Sequence, residues 1–320
     1  MLPLADLLEL VFGPSLDPAG RQLVRDMRAL GRFGWLGGML SRLLLPPAAA
    51  PRGFVWEENG QLVGNASLLP VCLERWVLAN VVVHPDFRRR GIGRELVEAC
   101  MNLAHERHIG TLMLQVKTDN QEAGRLYRRL GFRDLGARTT WVLPAGAARA
   151  LPARAAEVGQ TETAGAPAAG SPDVRGAQPA GSLRVADVRR RVSAEWNDQW
   201  ALAQRVHPEG VIWPNPLHPG PFRPGWREAR HWVWYRGAQL WASLSALPRS
   251  GGWRLIVLAQ PEAAGKVEAE LLATALPALR GSLALDYPAG IASDALRDAG
   301  FRQERCLTWM EWPLDSTAAR

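Results

Sequence analysis

One segment of this chain is written twice. At an offset of 178 residues, Val55, Trp56, Gln61, Leu62, Ser67, Leu69 and Pro70 are matched by Val233, Trp234, Gln239, Leu240, Ser245, Leu247 and Pro248. Both segments alternate apolar and polar positions about a turn sequence, Asn59-Gly60 in the first and Arg236-Gly237 in the second, the pattern of a two-stranded hairpin. Further matches follow in the same order: His84-Pro85-Asp86 faces Gln260-Pro261-Glu262, Gly131-Phe132-Arg133 faces Gly300-Phe301-Arg302, and Thr140-Trp141 faces Thr308-Trp309. A repeat constrains the fold strongly, because the same apolar faces must be buried twice. Two copies of one fold are expected.

The length of 320 residues accommodates two domains. Between the copies, Ala, Gly, Pro, Thr and Ser dominate from Ala145 to Ser182, a composition that cannot bury enough apolar surface to offset chain entropy. The expected division is a domain at 1–145, an Ala/Gly/Pro-rich linker at 146–182 with a short helical continuation around Ala147 to Val158, and a second domain at 183–320.

The first copy reads α-α-β-β-β-α-β-α-β-β. Helical spacing at Leu7 to Val11 and Gly20 to Leu30 precedes strands near Gly53–Trp56, Gln61–Leu69 and Trp76–Val83. A helix from about Gly93 to His108 buries Leu96, Val97, Cys100, Met101 and Ala104, and Gly110 stops it. Thr111 to Val116 is an apolar strand, Asp119 or Asn120 caps a helix running to Leu130, and Gly131 stands where a left-handed cap belongs. Two last strands are expected at Arg133–Leu135 and Thr139–Leu143. The class is a mixed α/β (α+β) fold.

Net charge is +7, yet Lys117 and Lys266 are the only lysines, and the arginines are scattered apart from Arg88-Arg89-Arg90 and Arg189-Arg190-Arg191. With no long basic tail, this argues against a general nucleic-acid binder. Apolar runs such as Phe33 to Leu40 are far shorter than the roughly 18 residues of a spanning helix. Met1-Leu2-Pro3-Leu4 lacks the basic start of a signal peptide, so a cytoplasmic protein without a membrane partner is expected. Cys72, Cys100 and Cys306 have no CxxC spacing, and His105 and His108 have no third ligand nearby, so neither a disulfide framework nor a metal site is expected.

The chemistry concentrates in Val81-Val82-Val83-His84-Pro85-Asp86-Phe87-Arg88-Arg89-Arg90-Gly91-Ile92-Gly93-Arg94. A strand here enters an Arg/Gly loop that opens directly into a helix, so unpaired amides and the positive helix end converge on one spot, an anion site. Gly91 and Gly93 clear space for a phosphate, and the arginines add charge around it. The sequence is neither the GxxxxGK[ST] phosphate loop nor the GxGxxG dinucleotide fingerprint.

Arg88, Gly91 and Gly93 instead fill [QR]-x-x-G-x-[GA], the acyl-CoA signature of the GNAT superfamily of N-acyltransferases, which this segment resembles. Asn120-Gln121-Glu122-Ala123-Gly124-Arg125-Leu126-Tyr127-Arg128-Arg129-Leu130-Gly131-Phe132 is similar to that family's second motif, N-x-x-A-x-x-L-Y-x-x-L-G-F. The resemblance covers about Phe54 to Leu143. It implies a mixed, mostly antiparallel sheet, flanked by helices, that splays so the pantetheine arm of acetyl-CoA pairs with the backbone of Val81, Val82 and Val83. It also implies that the pyrophosphate lies on the amides of Arg89, Arg90, Gly91, Ile92, Gly93 and Arg94, beside Arg88. Asn120 would bond the pantetheine region, and Tyr127 would stand near the sulfur as general acid.

The resemblance implies direct transfer: a neutral amine attacks the thioester, a tetrahedral oxyanion forms, and coenzyme A leaves as a thiolate that takes a proton from Tyr127. Some relatives carry a glutamate base where this chain has Val77 and Gln115; Glu74, His84, Asp119 or a water remain as candidates. The acceptor stays open among small amines, aminoglycosides, peptide N-termini and lysines. An acyl-CoA-binding sensor without turnover is the alternative.

In the second copy, Glu262-Ala263-Ala264-Gly265-Lys266-Val267 lacks the arginines, and Leu296 and Ala289 stand where Tyr127 and Asn120 stood. An intact copy beside a degenerate one resembles the mycothiol synthase-like tandem arrangement. The expectation is a monomer or weak dimer, with the second copy acting as a pseudo-dimer partner. Ten of the fourteen tryptophans follow residue 190. Most are expected in core or inter-domain packing, with a minority from among Trp213, Trp226 and Trp232 lining the acceptor cleft, while His207, His218 and His231 are expected as loop histidines.

Overall fold

Asn59 (φ 53°) and Gly60 (φ 77°) both adopt the left-handed conformation, the turn geometry that matches the twist of a tight hairpin. They join β1 (Arg52–Glu58) to β2 (Gln61–Cys72). The computed structural model describes residues 2–13, 21, 24–29, 52–72, 74–147, 187–208, 210–212 and 215–313. The expected linker beyond residue 147, its helical continuation and Trp213 lie outside the described residues.

In the first copy, α1 (Leu2–Phe12) buries Ala5, Leu7 and Leu8 against Val82. After β2 come β3 (Arg75–Val83), α2 (Ile92–Glu106), β4 (Thr111–Lys117), α3 (Gln121–Arg129) and β5 (Arg133–Leu143). Leu96, Val97, Cys100, Met101 and Ala104 form the buried face of α2, as their spacing predicts. Where two final strands were expected, β5 is continuous: Gly136, at φ 143°, carries the backbone through in place of a turn.

The second copy begins with β6 (Val188–Arg190) and α4 (Trp196–Val206). It continues with β7 (Arg230–Arg236), β8 (Gln239–Arg249), β9 (Gly252–Ala259) and α5 (Glu268–Ala275). The last elements are β10 (Ser282–Pro288), α6 (Ser293–Asp298) and β11 (Arg302–Pro313). The β7–β8 turn sits one residue later than expected, on Gly237-Ala238, because Arg236 still pairs with Gln239.

The residues group into two units that do not follow chain order at their last strands. Unit 1 holds residues 1–138, 213–216 and 306–320, and unit 2 holds 139–212 and 217–305. In unit 1, β1, β2, β3 and β4 are followed by β11, which runs antiparallel to β4 from Leu307 opposite Lys117 to Pro313 opposite Thr111. In unit 2 the order is β6, β7, β8, β9, β10, and then the second half of β5. Met310, fully buried, belongs to a core with Leu68, Leu78, Leu96, Leu114 and Phe132. Trp141 and Leu143 belong to a core with Trp232, Leu244, Leu271 and Phe301. Each unit is completed by a strand carried on the other half of the sequence.

The strands of the two units part at corresponding places. β3 pairs in parallel with β4 only from Arg75 opposite Thr111 to Leu78 opposite Leu114, and β9 pairs in parallel with β10 only from Gly252 opposite Ser282 to Leu255 opposite Leu285. The other recorded ladders are antiparallel.

Candidate active site

Beyond Leu78 the edge of β3 that faces β4 has no strand partner among the described residues, and that edge carries Val81, Val82 and Val83. Their other edge stays on β2, with Val82 opposite Asn65 and Val83 opposite Gly64. The change of course is a bulge at Asn80, whose φ of 53° is left-handed and whose register against β2 shifts between Asn65 and Ser67. Asn65, 3% exposed, holds the bulge: its Nδ2 donates to the Asn80 carbonyl at 2.8 Å and to the Ser67 hydroxyl at 3.0 Å. Sequence reasoning missed this pair, although Asn80 is the lone polar residue in Val77-Leu78-Ala79-Asn80-Val81-Val82-Val83.

From the end of β3 the chain turns through Pro85–Phe87 and enters α2. Arg89 (φ 66°) and Gly91 (φ 86°) are left-handed, and Gly91 caps the helix. Intrahelical bonding begins with Arg94 N–H and Glu95 N–H on the Gly91 carbonyl, so the amides of Arg89, Arg90, Gly91, Ile92 and Gly93 have no backbone acceptor among the described residues. The four arginines surround this nest. Arg88 Nε donates to the Val83 carbonyl (3.3 Å), Arg89 pairs with Glu122 (2.7 Å), Arg90 with Glu58 (3.3 Å) and Arg94 with Glu98 (2.8 Å). These ion pairs are solvent-exposed, hence weakly held and free to exchange for a phosphate.

Asn120 caps α3, its Oδ1 accepting the Ala123 N–H at 3.1 Å, which leaves its Nδ2 for a ligand. Two turns on, Tyr127 is 6% exposed, and burial pushes its phenol above the usual range. The group therefore stays neutral and keeps a proton to donate. Its ring meets Phe132 edge-on with centroids 5.8 Å apart. Gly131, at φ 90°, turns the chain from α3 into β5. Beside α3 lies a groove of about 250 Å³ lined by Lys117, Gln121, Gly124, Arg125, Arg128 and, from the last strand, Thr308.

Of the base candidates, the structure brings only His84 to the end of β3. Its Nδ1 accepts the Asp86 N–H at 3.4 Å. Glu74 sits at the opposite end of β3, where its carbonyl accepts the Thr111 N–H, and so lies away from the loop. Asp119 is exposed just before α3. Cys100 is core, as expected, its thiol pushed up to about 12 by burial. Among the described residues no three His, Cys, Asp or Glu side chains gather as a metal site, and no helix is long and apolar enough to cross a membrane.

Two expectations in the second copy are corrected. Trp232 is 2% exposed and part of the unit 2 core, so it lines no cleft. His231 is no loop histidine: it lies in β7, 7% exposed, with Nδ1 2.9 Å from the Ser245 hydroxyl. At the loop before α5, Gly265 (φ 82°) resembles Gly91, but its N–H already donates to the Glu268 carboxylate at 2.9 Å, and the Tyr287 hydroxyl donates to the same oxygen. An internal carboxylate thus stands where the first copy leaves amides open.

Residues 22–132 match the profile of the acetyltransferase (GNAT) family. The N-alpha-acetyltransferase RimI of Mycobacterium tuberculosis (strain ATCC 25618 / H37Rv) is 32% identical over 113 residues, covering 32% of this chain and 70% of that protein. The chain belongs to the GNAT family. Another relative, the [ribosomal protein bS18]-alanine N-acetyltransferase of Escherichia coli (strain K12), is 36% identical over 81 residues, 25% of this chain and 54% of that protein. The chain thus spans about half the length of that curated relative. A GCN5-related N-acetyltransferase from Sphaerobacter thermophilus superposes with a TM-score of 0.56 at 13% identity, over 97% of this chain and 91% of that one, so the GNAT likeness of fold extends over both copies.

Proposed function

We propose that unit 1 is an acetyl-CoA-dependent N-acetyltransferase that acts in the cytoplasm and acetylates a primary amine directly in a ternary complex. The observation that carries this reading is the opening of β3 from β4 beyond Leu78, which leaves the β4-facing edge of Val81, Val82 and Val83 without a strand partner among the described residues, beside the amide nest of the α2 loop and with the Val83 carbonyl held by the exposed Arg88. An extended pantetheine arm can pair along that edge while its pyrophosphate takes the amides of Arg89 to Gly93 and displaces the exposed carboxylates from the arginines. Asn120 Nδ2 then faces the arm.

The neutral amine nitrogen bonds to the thioester carbon, the carbon–sulfur bond breaks, the thiolate receives the Tyr127 proton, and the proton that the new amide nitrogen loses returns through water to the phenolate. Because burial holds that proton tightly, the phenol acts first as a hydrogen-bond donor to the developing thiolate charge and transfers its proton late. A water bonded to His84 supplies the path by which the acceptor ammonium is deprotonated. Relatives named for a ribosomal protein alanine and for N-alpha-acetylation support peptide α-amines as the leading acceptor class.

Thermal shift with acetyl-CoA, followed by free-thiol release over peptide α-amines, lysine peptides, small amines and aminoglycosides, tests the reading. The expected result is stabilisation plus turnover on one class, with Tyr127→Phe lowering kcat about 100-fold and leaving acetyl-CoA affinity within twofold. Stabilisation without turnover on any amine makes the protein an acyl-CoA sensor, and no stabilisation refutes both.

A further inference from the structure

We infer that Trp312, on β11, is a positioning residue for Tyr127. The inference rests on the reading of Tyr127 as the proton donor, and it concerns a residue far outside the stretch matched by the family profile.

β11 lies on β4 with Thr308 opposite Val116, Met310 opposite Leu114 and Trp312 opposite Leu112. Residues two apart on a strand share a face. Thr308 therefore reaches the groove beside α3, Met310 is sealed in the unit 1 core, and Trp312 backs the turn that follows α3. The Trp312 ring lies against Phe132 with centroids 6.5 Å apart and planes inclined by 35°, and Phe132 in turn meets Tyr127 at 5.8 Å and 64°. A Cβ on Gly131 would lie 3.4 Å from the Trp312 indole nitrogen, an ordinary contact distance, so the indole borders the turn.

What fixes the phenol makes this chain of rings consequential. The Tyr127 hydroxyl has no hydrogen-bond partner among the described residues, so its position is set by ring packing. The Phe132 N–H is bonded to the Tyr127 carbonyl at 3.0 Å, which fixes the Phe132 backbone but not its ring. Trp312 supplies the wall that keeps the Phe132 ring edge-on to Tyr127. A proton donor displaced by about 1 Å loses on the order of 100-fold in rate, so removing the wall is felt at the hydroxyl without any contact between Trp312 and the reacting atoms.

The test uses the full chain labelled with 3-fluorotyrosine at its three tyrosines, Tyr127, Tyr235 and Tyr287. Tyr127→Phe assigns the Tyr127 fluorine signal. In Trp312→Ala that signal is expected to shift or broaden while those of Tyr235 and Tyr287 stay in place, and Trp312→Phe is expected to restore it. Trp312→Leu serves if the alanine variant does not fold. With a turned-over amine, Trp312→Ala is expected to lower kcat at least tenfold with KM for acetyl-CoA within twofold, and to add less than twofold to the loss in Tyr127→Phe. An unmoved Tyr127 signal, or a loss that multiplies in full with that of Tyr127→Phe, overturns the inference alone. Wild-type kcat in Tyr127→Phe overturns the reading of Tyr127 and the inference with it.

Discussion

Met310 and Trp141 offer a direct test of the strand exchange, because each side chain is buried in the core of the unit formed mainly by the other half of the sequence. Met310 is 0% exposed and Trp141 is 1% exposed, so neither site can collapse onto solvent when truncated. Met310→Ala removes a fully packed side chain, at a cost of about 2–5 kcal/mol, and Trp141→Ala costs about 3–5 kcal/mol. A loss of about 3 kcal/mol raises the opening equilibrium of a segment more than 100-fold, well within reach of hydrogen exchange read peptide by peptide. The expected pattern is crossed. Met310→Ala speeds exchange in α2 and β4, residues 92–106 and 111–117, while Trp141→Ala speeds it in β8, β9 and β10, residues 239–259 and 282–288. Faster exchange in β8 and β9 on Met310→Ala, with β4 unchanged, would refute the exchange.

His231 predicts acid lability. Burial, with Arg191 and then Arg190 adding repulsion, lowers its pKa from 6.5 to about 3. As pH falls below 6.5 the unfolded chain takes up a proton that the native imidazole refuses, so stability present above that pH is lost progressively toward pH 3, by roughly 3 kcal/mol at about pH 4.5. Urea unfolding from pH 7 to 4.5 should show this slope, and His231→Gln should flatten it. Asn65→Ala should cost about 1–3 kcal/mol by stripping the Asn80 carbonyl of its donor. It should also weaken acetyl-CoA binding by calorimetry more than Ser67→Ala does, and equal effects would show that the bulge plays no part in binding.

What could be read from the sequence was local. The helix spacing in Leu96-Val97 and Cys100-Met101, the Asn59-Gly60 turn, the Asn120 cap and the left-handed Gly131 are each decided by neighbours a few residues away, and the structure has them as expected. The bulge was hidden because Asn80 depends on Asn65 across a strand pair, a contact no periodicity reports. Partner choice at the last strands was hidden for the same reason. Thr140-Trp141 and Thr308-Trp309 match one another in sequence, and side chains that similar suit either core, so the pattern cannot say which sheet takes which strand. Glu268 was visible as a residue, but its turning back onto the Gly265 amide depends on the geometry of the loop.

The pairing of β4 with β11 also sets an order of events during synthesis. Thr111 leaves the ribosome early, yet its partner on that edge is Pro313, and everything between them must be made before the ladder can close. Such a distant closure is entropically slow and leaves an open strand edge waiting in the meantime. The half of the chain that carries the acyl-CoA motifs is thus the half that finishes last. A nascent chain that stalls or is clipped before Leu307 holds every residue of those motifs and still lacks the strand that completes their sheet.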